Sequence, residues 1–359
     1  MYSKFWPKGG LPGILHHYTE TLVTFEYTTQ TLSQPHSLLF VGGLGDGLAT
    51  TSYMADIASA LKSTPWSLFT LNLTSSYQSW GLGHLDRDTD EIAQCIRYIQ
   101  EYKQSKYPDG NGKIVLMGHS TGSQCVMHYL SRPNPHTSKP AFDPYLEHVV
   151  RVPLDGAIMQ APVSDREAIG WVLENGMGGK SGEECREVYE KIVKMAREAE
   201  RERLSGKGGV YDTMLPIELT SFAYPANTPL SARRLLSLVS PDSPENPGED
   251  DMFSSDLGDE QLERTFGMVG KGGLLRGKLM VLHSGKDQSV PDWVDKEALL
   301  RKWKGITNRG SVDGREIWDD EHTAVIPNAS HALSNDDQAE PRRFLVEKVM
   351  GYLRMVLNV

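Results

Sequence analysis

An α/β architecture, a mostly parallel central sheet flanked by helices, is predicted by three features of this 359-residue chain. Short apolar runs alternate with helix-compatible segments in the first half of the chain and again at its end, the pattern of a sheet covered on both faces. The segment Lys113-Ile-Val-Leu-Met-Gly-His-Ser-Thr-Gly-Ser123 places a strand, a sharp bend and a helix start in immediate succession. Between residues 165 and 275 the alternation breaks, which marks a largely helical insertion.

The elements follow in order. Residues 13–18 and 22–28 are β-rich and joined by the polar Thr19, Glu20 and Thr21, as in a hairpin or consecutive antiparallel strands. A strand at 37–41 runs into the glycine loop Gly42-Gly-Leu-Gly-Asp-Gly47, and an alanine-rich helix follows at 51–61. Residues 66–73 read as a strand, and 89–102 as a helix with Ile92, Cys95, Ile96 and Ile99 on one face. The apolar run 114–117 and a helix over 123–130 come next, then a strand over 149–159 that ends in Gln160-Ala-Pro162. Strands at 278–283 and 323–326 flank a helix at 292–303, and an amphipathic helix over 341–357 begins with Pro341 in its first turn.

Within the insertion, helices are expected at 166–173 and 183–203, separated by glycine-rich 175–182, with a second glycine cluster around Gly208. The stretch 241–260, dense in Asp, Glu, Pro and Ser, reads as a solvated loop. The division is therefore 1–164 and 276–359 as the two parts of the core, with 165–275 as a cap or lid over the carboxyl edge of the sheet. A peripheral helical decoration is the alternative.

Hydrophobic residues make up 39% and charged residues 23%, ordinary for a globular chain. The net charge of −10 and the lack of a dense Lys/Arg block argue against a nucleic-acid partner. No run has the length of a membrane span, and no signal-peptide core is visible near Met1. The three cysteines, Cys95, Cys125 and Cys185, are odd in number and far apart, suggesting neither a disulfide scaffold nor a compact zinc site. A cytoplasmic location fits, and the Asn72 and Asn328 glycosylation patterns are then coincidental. No cofactor and no protein-bound metal are expected, and the oligomeric state is not legible.

Gly118-His119-Ser120-Thr121-Gly122 has the G-x-S-x-G arrangement. On a strained strand-to-helix turn Ser120 would expose its hydroxyl before a helix N-terminus, and the small Gly118 and Gly122 would permit close packing. Ser120 is thus a candidate nucleophile. A serine hydroxyl needs a base held in one orientation, and in sheet hydrolases the order is Ser, Asp, His. His331 lies past the last strand among the small Ala329, Ser330 and Ala332, whereas His119 points away from Ser120 in such turns. Asp287, in the loop leaving the 278–283 strand, is the candidate acid, with Asp165 the competitor. The Thr121 N–H should supply one oxyanion donor and the Leu44 N–H the second. The glycine loop lacks the G-x-x-x-x-G-K-[ST] pattern of a phosphate nest. Asp46 beside that loop is unusual, since an inward carboxylate would repel an oxyanion. It should turn outward or pair with a cation. Gly43, Tyr77, Gln78 and Trp80 could line a pocket, joined from the insertion by Trp171, Tyr211, Phe222 and Tyr224. Core packing is the commoner fate of such aromatics.

With these residues the chain resembles an α/β-hydrolase, and more narrowly a fungal family of siderophore esterases acting on fusarinine-type compounds. The resemblance is carried by Phe40-Val-Gly-Gly-Leu-Gly-Asp-Gly47, Gly118-His-Ser-Thr-Gly-Ser-Gln124, Gln160-Ala-Pro-Val-Ser-Asp-Arg-Glu167, His283-Ser-Gly-Lys-Asp287 and Asn328-Ala-Ser-His331, and it spans nearly the whole chain. It implies an α/β-hydrolase fold with Ser120 as nucleophile, Asp287 as acid and His331 as base. It also implies cleavage of the ester bonds between hydroxamate units of an intracellular iron-carrying siderophore, the metal being part of the substrate. The partner would then be a small-molecule ester, a ferric siderophore in the implied case. A lipase, thioesterase or general small-ester hydrolase is the alternative within enzymes, and a non-catalytic ligand-binding protein on the same fold the alternative outside them.

Overall fold

The computed structural model describes residues 4–28, 32–110, 112–138, 140, 142–207, 212–312 and 314–358. Its strands are β1 (Gly13–His17), β2 (Val23–Tyr27), β3 (His36–Val41), β4 (Trp66–Leu71), β5 (Ile114–His119), β6 (Gly156–Gln160), β7 (Leu279–Ser284) and β8 (Ala324–Ile326). They form one sheet in the order β1-β2-β4-β3-β5-β6-β7-β8. The first two strands pair antiparallel, as do β2 and β4, and every remaining pairing is parallel. All strands from β3 onward therefore end at one rim.

Period-two alternation sends Leu39, Val41, Ile114 and Leu116 to one hydrophobic cluster and Leu38, Phe40, Val115 and Met117 to another. Helices α1 (Met54–Leu61), α2 (Leu85–Lys106) and α3 (Thr121–Ser131) follow the first strands, and α10 (Lys296–Arg309) and α11 (Ala339–Leu357) the last. Residues of α2, α3 and α10 complete the first cluster, and those of α1 and α11 the second, so both faces are covered. The strands read as nearly continuous apolar runs for that reason.

Between β6 and β7 lie α4 (Asp165–Asn175), α5 (Gly182–Leu204), α6 (Ile217–Thr220), α7 (Ala232–Val239), α8 (Asp259–Glu263) and α9 (Phe266–Lys271). The helix α5 starts at a capping box, with Ser181 and Glu184 satisfying each other's backbone N–H groups. Ile169, Val172, Ile192, Leu235 and Leu238 from α4, α5 and α7 build a separate cluster with Trp80. Leu262 and Phe266 of α8 and α9 pack instead with Trp303 in the main core.

Three expectations need correction. The strand expected over 149–159 forms only at Gly156–Gln160. Pro153 has no N–H to donate, and the buried Arg151 side chain binds main-chain carbonyls of His128 and Arg132, which holds the preceding chain in an irregular path. The helix expected from residue 51 begins at Met54, because Thr51 and Ser52 use their hydroxyls in loop contacts described below. The 241–260 stretch is not a solvated loop. Met252, Phe253 and Leu257 are buried, and Asp250 and Asp251 pair with Arg234 and Arg166 at 2.5 and 2.8 Å, so composition alone misjudged it.

Candidate active site

Ser120 stands between β5 and α3 with φ 53° and ψ −123°, a conformation uncommon for any residue with a Cβ. Strain of this kind, on the order of 1–3 kcal/mol, persists only where packing over-determines it. Close packing supplies that constraint. A Cβ on Gly118 would lie 2.0 Å from the Gly122 carbonyl oxygen, and one on Gly122 would lie 2.3 Å from that of Val41. The Ser120 N–H donates to the Gln160 carbonyl at 3.0 Å, tying the bend to β6.

The hydroxyl of Ser120 lies 2.9 Å from His331 Nε2, and His331 Nδ1 lies 2.8 Å from Asp287 Oδ2. With Nδ1 protonated toward the carboxylate, Nε2 offers its lone pair to the serine proton. Asp287 is buried, and its Oδ1 accepts the Ser289 N–H at 2.8 Å. Two rim loops are laced together around this pair. Gly285 and Lys286 donate to the carbonyls of Ile326 and Ala329, and the His331 N–H donates to Gln288 Oε1 at 3.0 Å. Ser52, at the entry to α1, donates to the Ala332 carbonyl and fixes the loop from its other side. Asp165, the competing carboxylate, makes no hydrogen bond to His331 among the described residues. Its carboxyl is pushed up to about 7, by burial first and then by Asp250.

His119 packs its ring 5.0 Å from that of His331 and meets Gln160 Oε1 through Nδ1 at 2.5 Å. Burial, then the His331 charge, pushes its pKa down to about 4, so it stays neutral beside the catalytic candidate. Gln160 also accepts the Tyr53 hydroxyl at 2.8 Å and donates to Ser284. Nothing in residue type marked Gln160 and Ser52 in advance, because their partners are distant in sequence.

Thr121 is the first residue of α3, where a backbone N–H has no intrahelical acceptor. Gly43 abuts Ser120: a Cβ there would lie 2.8 Å from Ser120 Cβ and 3.3 Å from its Oγ. Among the described residues neither the Leu44 nor the Thr121 N–H meets a protein acceptor. Both residues line a small cavity of about 30 Å³ with Gly43, Trp80, Asp88 and Arg234. Asp46 corrects its expectation: rather than turning outward or meeting a cation, it folds under the loop onto the Gly43 N–H and two threonine hydroxyls.

The other pocket candidates divide. Trp80 is buried with its ring 5.4 Å from that of Tyr224, and Phe222 is buried in the same cluster. Tyr77, Gln78 and Trp171 are exposed, and Tyr211 lies outside the described residues. Missed by sequence reasoning was the buried Arg234, which donates to Asp250 at 2.5 Å and to the Trp80 carbonyl at 3.2 Å. Away from the serine, ligand atoms of Asp86, His128 and Glu249 lie within 4.8 Å of one another. The Arg132 guanidinium already donates to His128 Nε2 at 2.7 Å and to Glu249 at 2.6 Å, so this is an ion-pair cluster with its own cation. Among the described residues no helix is long and apolar enough to cross a membrane.

A serine at a strand–helix elbow, with an imidazole and a carboxylate from later strand ends at the same rim, defines an α/β-hydrolase. The chain belongs to the family whose model is described as protein of unknown function DUF1749, matched over residues 4–354. It is 71% identical to the fusarinine C esterase sidJ of Aspergillus fumigatus over the full length of both chains. It is 47% identical to the esterase AN6793 of Emericella nidulans, over 97% of this chain and 93% of that one. Among solved structures, the siderophore hydrolase EstB of Aspergillus fumigatus superposes with a TM-score of 0.87 at 66% identity, covering 99% of this chain and 100% of that one. A yeast monoglyceride lipase matches at 11% identity and a TM-score of 0.52, a likeness of fold.

Gly118→Ala should lower stability by about 1–3 kcal/mol, because the new Cβ meets backbone rather than a movable side chain; urea unfolding measures it. Asp88, whose Oδ1 accepts the Ser75 hydroxyl at 2.6 Å, has its carboxyl pushed up to about 7 by burial first and then by Glu91. A folded pKa above the unfolded value of about 3.9 means that this group's favourable contribution is full below that pH and is lost as pH rises through 7. Asp88→Asn should therefore gain stability relative to the parent between pH 4 and 7 and then level off, whereas a pH-independent difference would contradict the assignment.

Proposed function

We propose that the protein is a serine esterase that cleaves carboxylic ester bonds of fusarinine-type hydroxamate siderophores. The observation carrying this reading is the unbroken line of hydrogen bonds from Ser120 Oγ through His331 to Asp287. The substrate class follows the name of the relative that is 71% identical over the whole chain.

In this mechanism Ser120 Oγ attacks the ester carbonyl while His331 Nε2 accepts its proton. The carbonyl oxygen becomes an oxyanion and receives the Leu44 and Thr121 N–H groups, each worth roughly 3–4 kcal/mol of barrier in comparable holes. The tetrahedral intermediate collapses, the C–O bond to the alcohol breaks, and His331 returns the proton to the departing alkoxide. Water, deprotonated by the same nitrogen, then attacks the acyl-enzyme and releases the acid and the serine. Asp287 keeps Nδ1 protonated and stabilises the imidazolium at each stage. Iron enters as cargo of the substrate: cutting the esters that join hydroxamate units separates the donor groups and weakens the grip on the metal. Because His119 is neutral, it adds no positive charge beside the imidazolium of His331.

The α4–α7 unit, against whose cluster Trp80, Tyr224 and Leu44 pack, would serve as a cap beside Ser120. A cytoplasmic setting suits a protein that acts on a siderophore after uptake.

Ser120→Ala should abolish hydrolysis of ferric and iron-free fusarinine-type esters without lowering the melting temperature by more than a few degrees; near-normal turnover would refute the nucleophile. In a panel of fusarinine-type esters, acyl thioesters, glycerides and simple esters, kcat/KM should be highest for the siderophore esters. Higher values for another class would overturn the substrate reading while leaving the esterase. Asp287→Asn should lower kcat by up to about 10⁴-fold, the size expected when the base loses its correct tautomer, while Asp165→Asn retains most of the activity. The reverse ranking would assign the acid to α4.

A further inference from the structure

We infer that Asp46 is a positioning residue for ester hydrolysis, its carboxylate holding the Gly43–Asp46 turn in the one conformation that aims the Leu44 N–H at the oxyanion. The inference rests on the reading of Ser120 as nucleophile and Leu44 as oxyanion donor.

The turn has an intrinsic weakness. Gly42, Gly43, Gly45 and Gly47 stand within six residues, and glycine loses more conformational freedom on ordering than any other residue. Gly45 sits at φ 81° at the third position of a turn closed by the Asp46 N–H on the Gly43 carbonyl at 3.0 Å, as in a type II turn. One backbone hydrogen bond is little to hold four glycines. The carboxylate adds the rest. Its Oδ2 accepts the Gly43 N–H at 2.9 Å and the Thr51 hydroxyl at 2.9 Å, and its Oδ1 accepts the Thr50 hydroxyl at 2.6 Å. Thr50 in turn accepts the Gly47 N–H at 2.9 Å. Bonds to an ionised acceptor are about twice as strong as neutral ones.

Packing explains why the brace must come from inside the loop. A Cβ on Gly42 would lie 2.4 Å from Asp46 Cβ, and one on Gly43 would lie 2.8 Å from Ser120 Cβ. The two glycines thus form a bare strip of backbone pressed between the Asp46 side chain and the nucleophile. On its outer side the Asp46 carbonyl accepts the Tyr77 N–H at 3.1 Å, which ties the turn to the 3-10 helix Tyr77–Leu82. Leu44 packs against the α4–α7 cluster. Both carboxylate oxygens are turned onto donors within the loop, which answers the objection that an anion here should repel an oxyanion.

The test compares full-length Asp46→Asn, Asp46→Ala and Thr51→Val with the parent. Asp46→Ala should lower kcat for a fusarinine-type ester, and the rate at which a fluorophosphonate labels Ser120, by roughly 10–100-fold, approaching the loss of an oxyanion donor, with KM within about twofold. Asn keeps an acceptor for the Gly43 N–H and the Thr51 hydroxyl, so Asp46→Asn should recover to within about fivefold of the parent. Thr51→Val, which leaves the carboxylate in place but removes one of its donors, should lower kcat by about two- to tenfold and keeps the test informative should the alanine variant not fold. Parental kcat in Asp46→Ala, or in Thr51→Val where the alanine variant is unfolded, would overturn the inference. So would an Asn variant no better than Ala, or a rise in KM with kcat unchanged. Turnover by Ser120→Ala would instead defeat the underlying reading of the site, so the two failures are distinguishable.

Discussion

The site depends on one steric constraint: the main chain of β5, the elbow and the first turn of α3 approach so closely that no side chain fits between them. Gly118 faces Gly122, and Gly122 faces the carbonyls of Val41 and Gly42 where β3 ends. This contact holds Ser120 at positive φ and sets the direction of its hydroxyl. It also brings the β3–α1 loop against the serine, where Gly43 completes the contact. Ser120 and the β3–α1 loop are therefore positioned by one packing event, and the strain at Ser120 is offset by apolar strands buried on both faces of the sheet.

The parallel pairing does the rest. Because β3, β5, β6, β7 and β8 run in the same direction, the loops leaving their carboxyl ends collect at one rim. Residues more than 200 positions apart in the chain, Ser120 and His331, meet there at 2.9 Å. Second-layer contacts then remove the remaining freedom: Ser52 and Gln288 hold the histidine loop, Gln160 bridges Tyr53 and His119 beneath it, and Ser289 orients the carboxylate of Asp287.

Much of this was legible in the sequence for physical reasons. Alternating strands and helices specify a parallel sheet, and a glycine-flanked serine between an apolar run and a helix specifies the bend. Once the sheet is parallel, loops after later strands must reach the same rim, which is why Asp287 and His331 stood out from other residues of their type. The failures have equally physical causes. The 241–260 stretch looks solvated by composition, but its carboxylates are met by Arg166 and Arg234 from α4 and α7, freeing Met252 and Phe253 to insert into the core. Pro153 and the buried Arg151 shorten β6 in a way that apolar patterning does not register. Asp46 was misjudged because its partners are backbone and hydroxyl donors of a turn whose geometry residue type does not disclose.

The Arg234–Asp250 pair has a mechanical consequence. Both side chains are almost wholly withdrawn from water, and the guanidinium also holds the Trp80 carbonyl. Swinging α7 outward would strand a bare charge on each side, an expense of several kcal/mol with nothing to replace it. This wall of the cavity therefore behaves as masonry rather than as a door. Any rearrangement of that wall would fall to segments that carry no such rivet, before it reached the helix that bears Arg234.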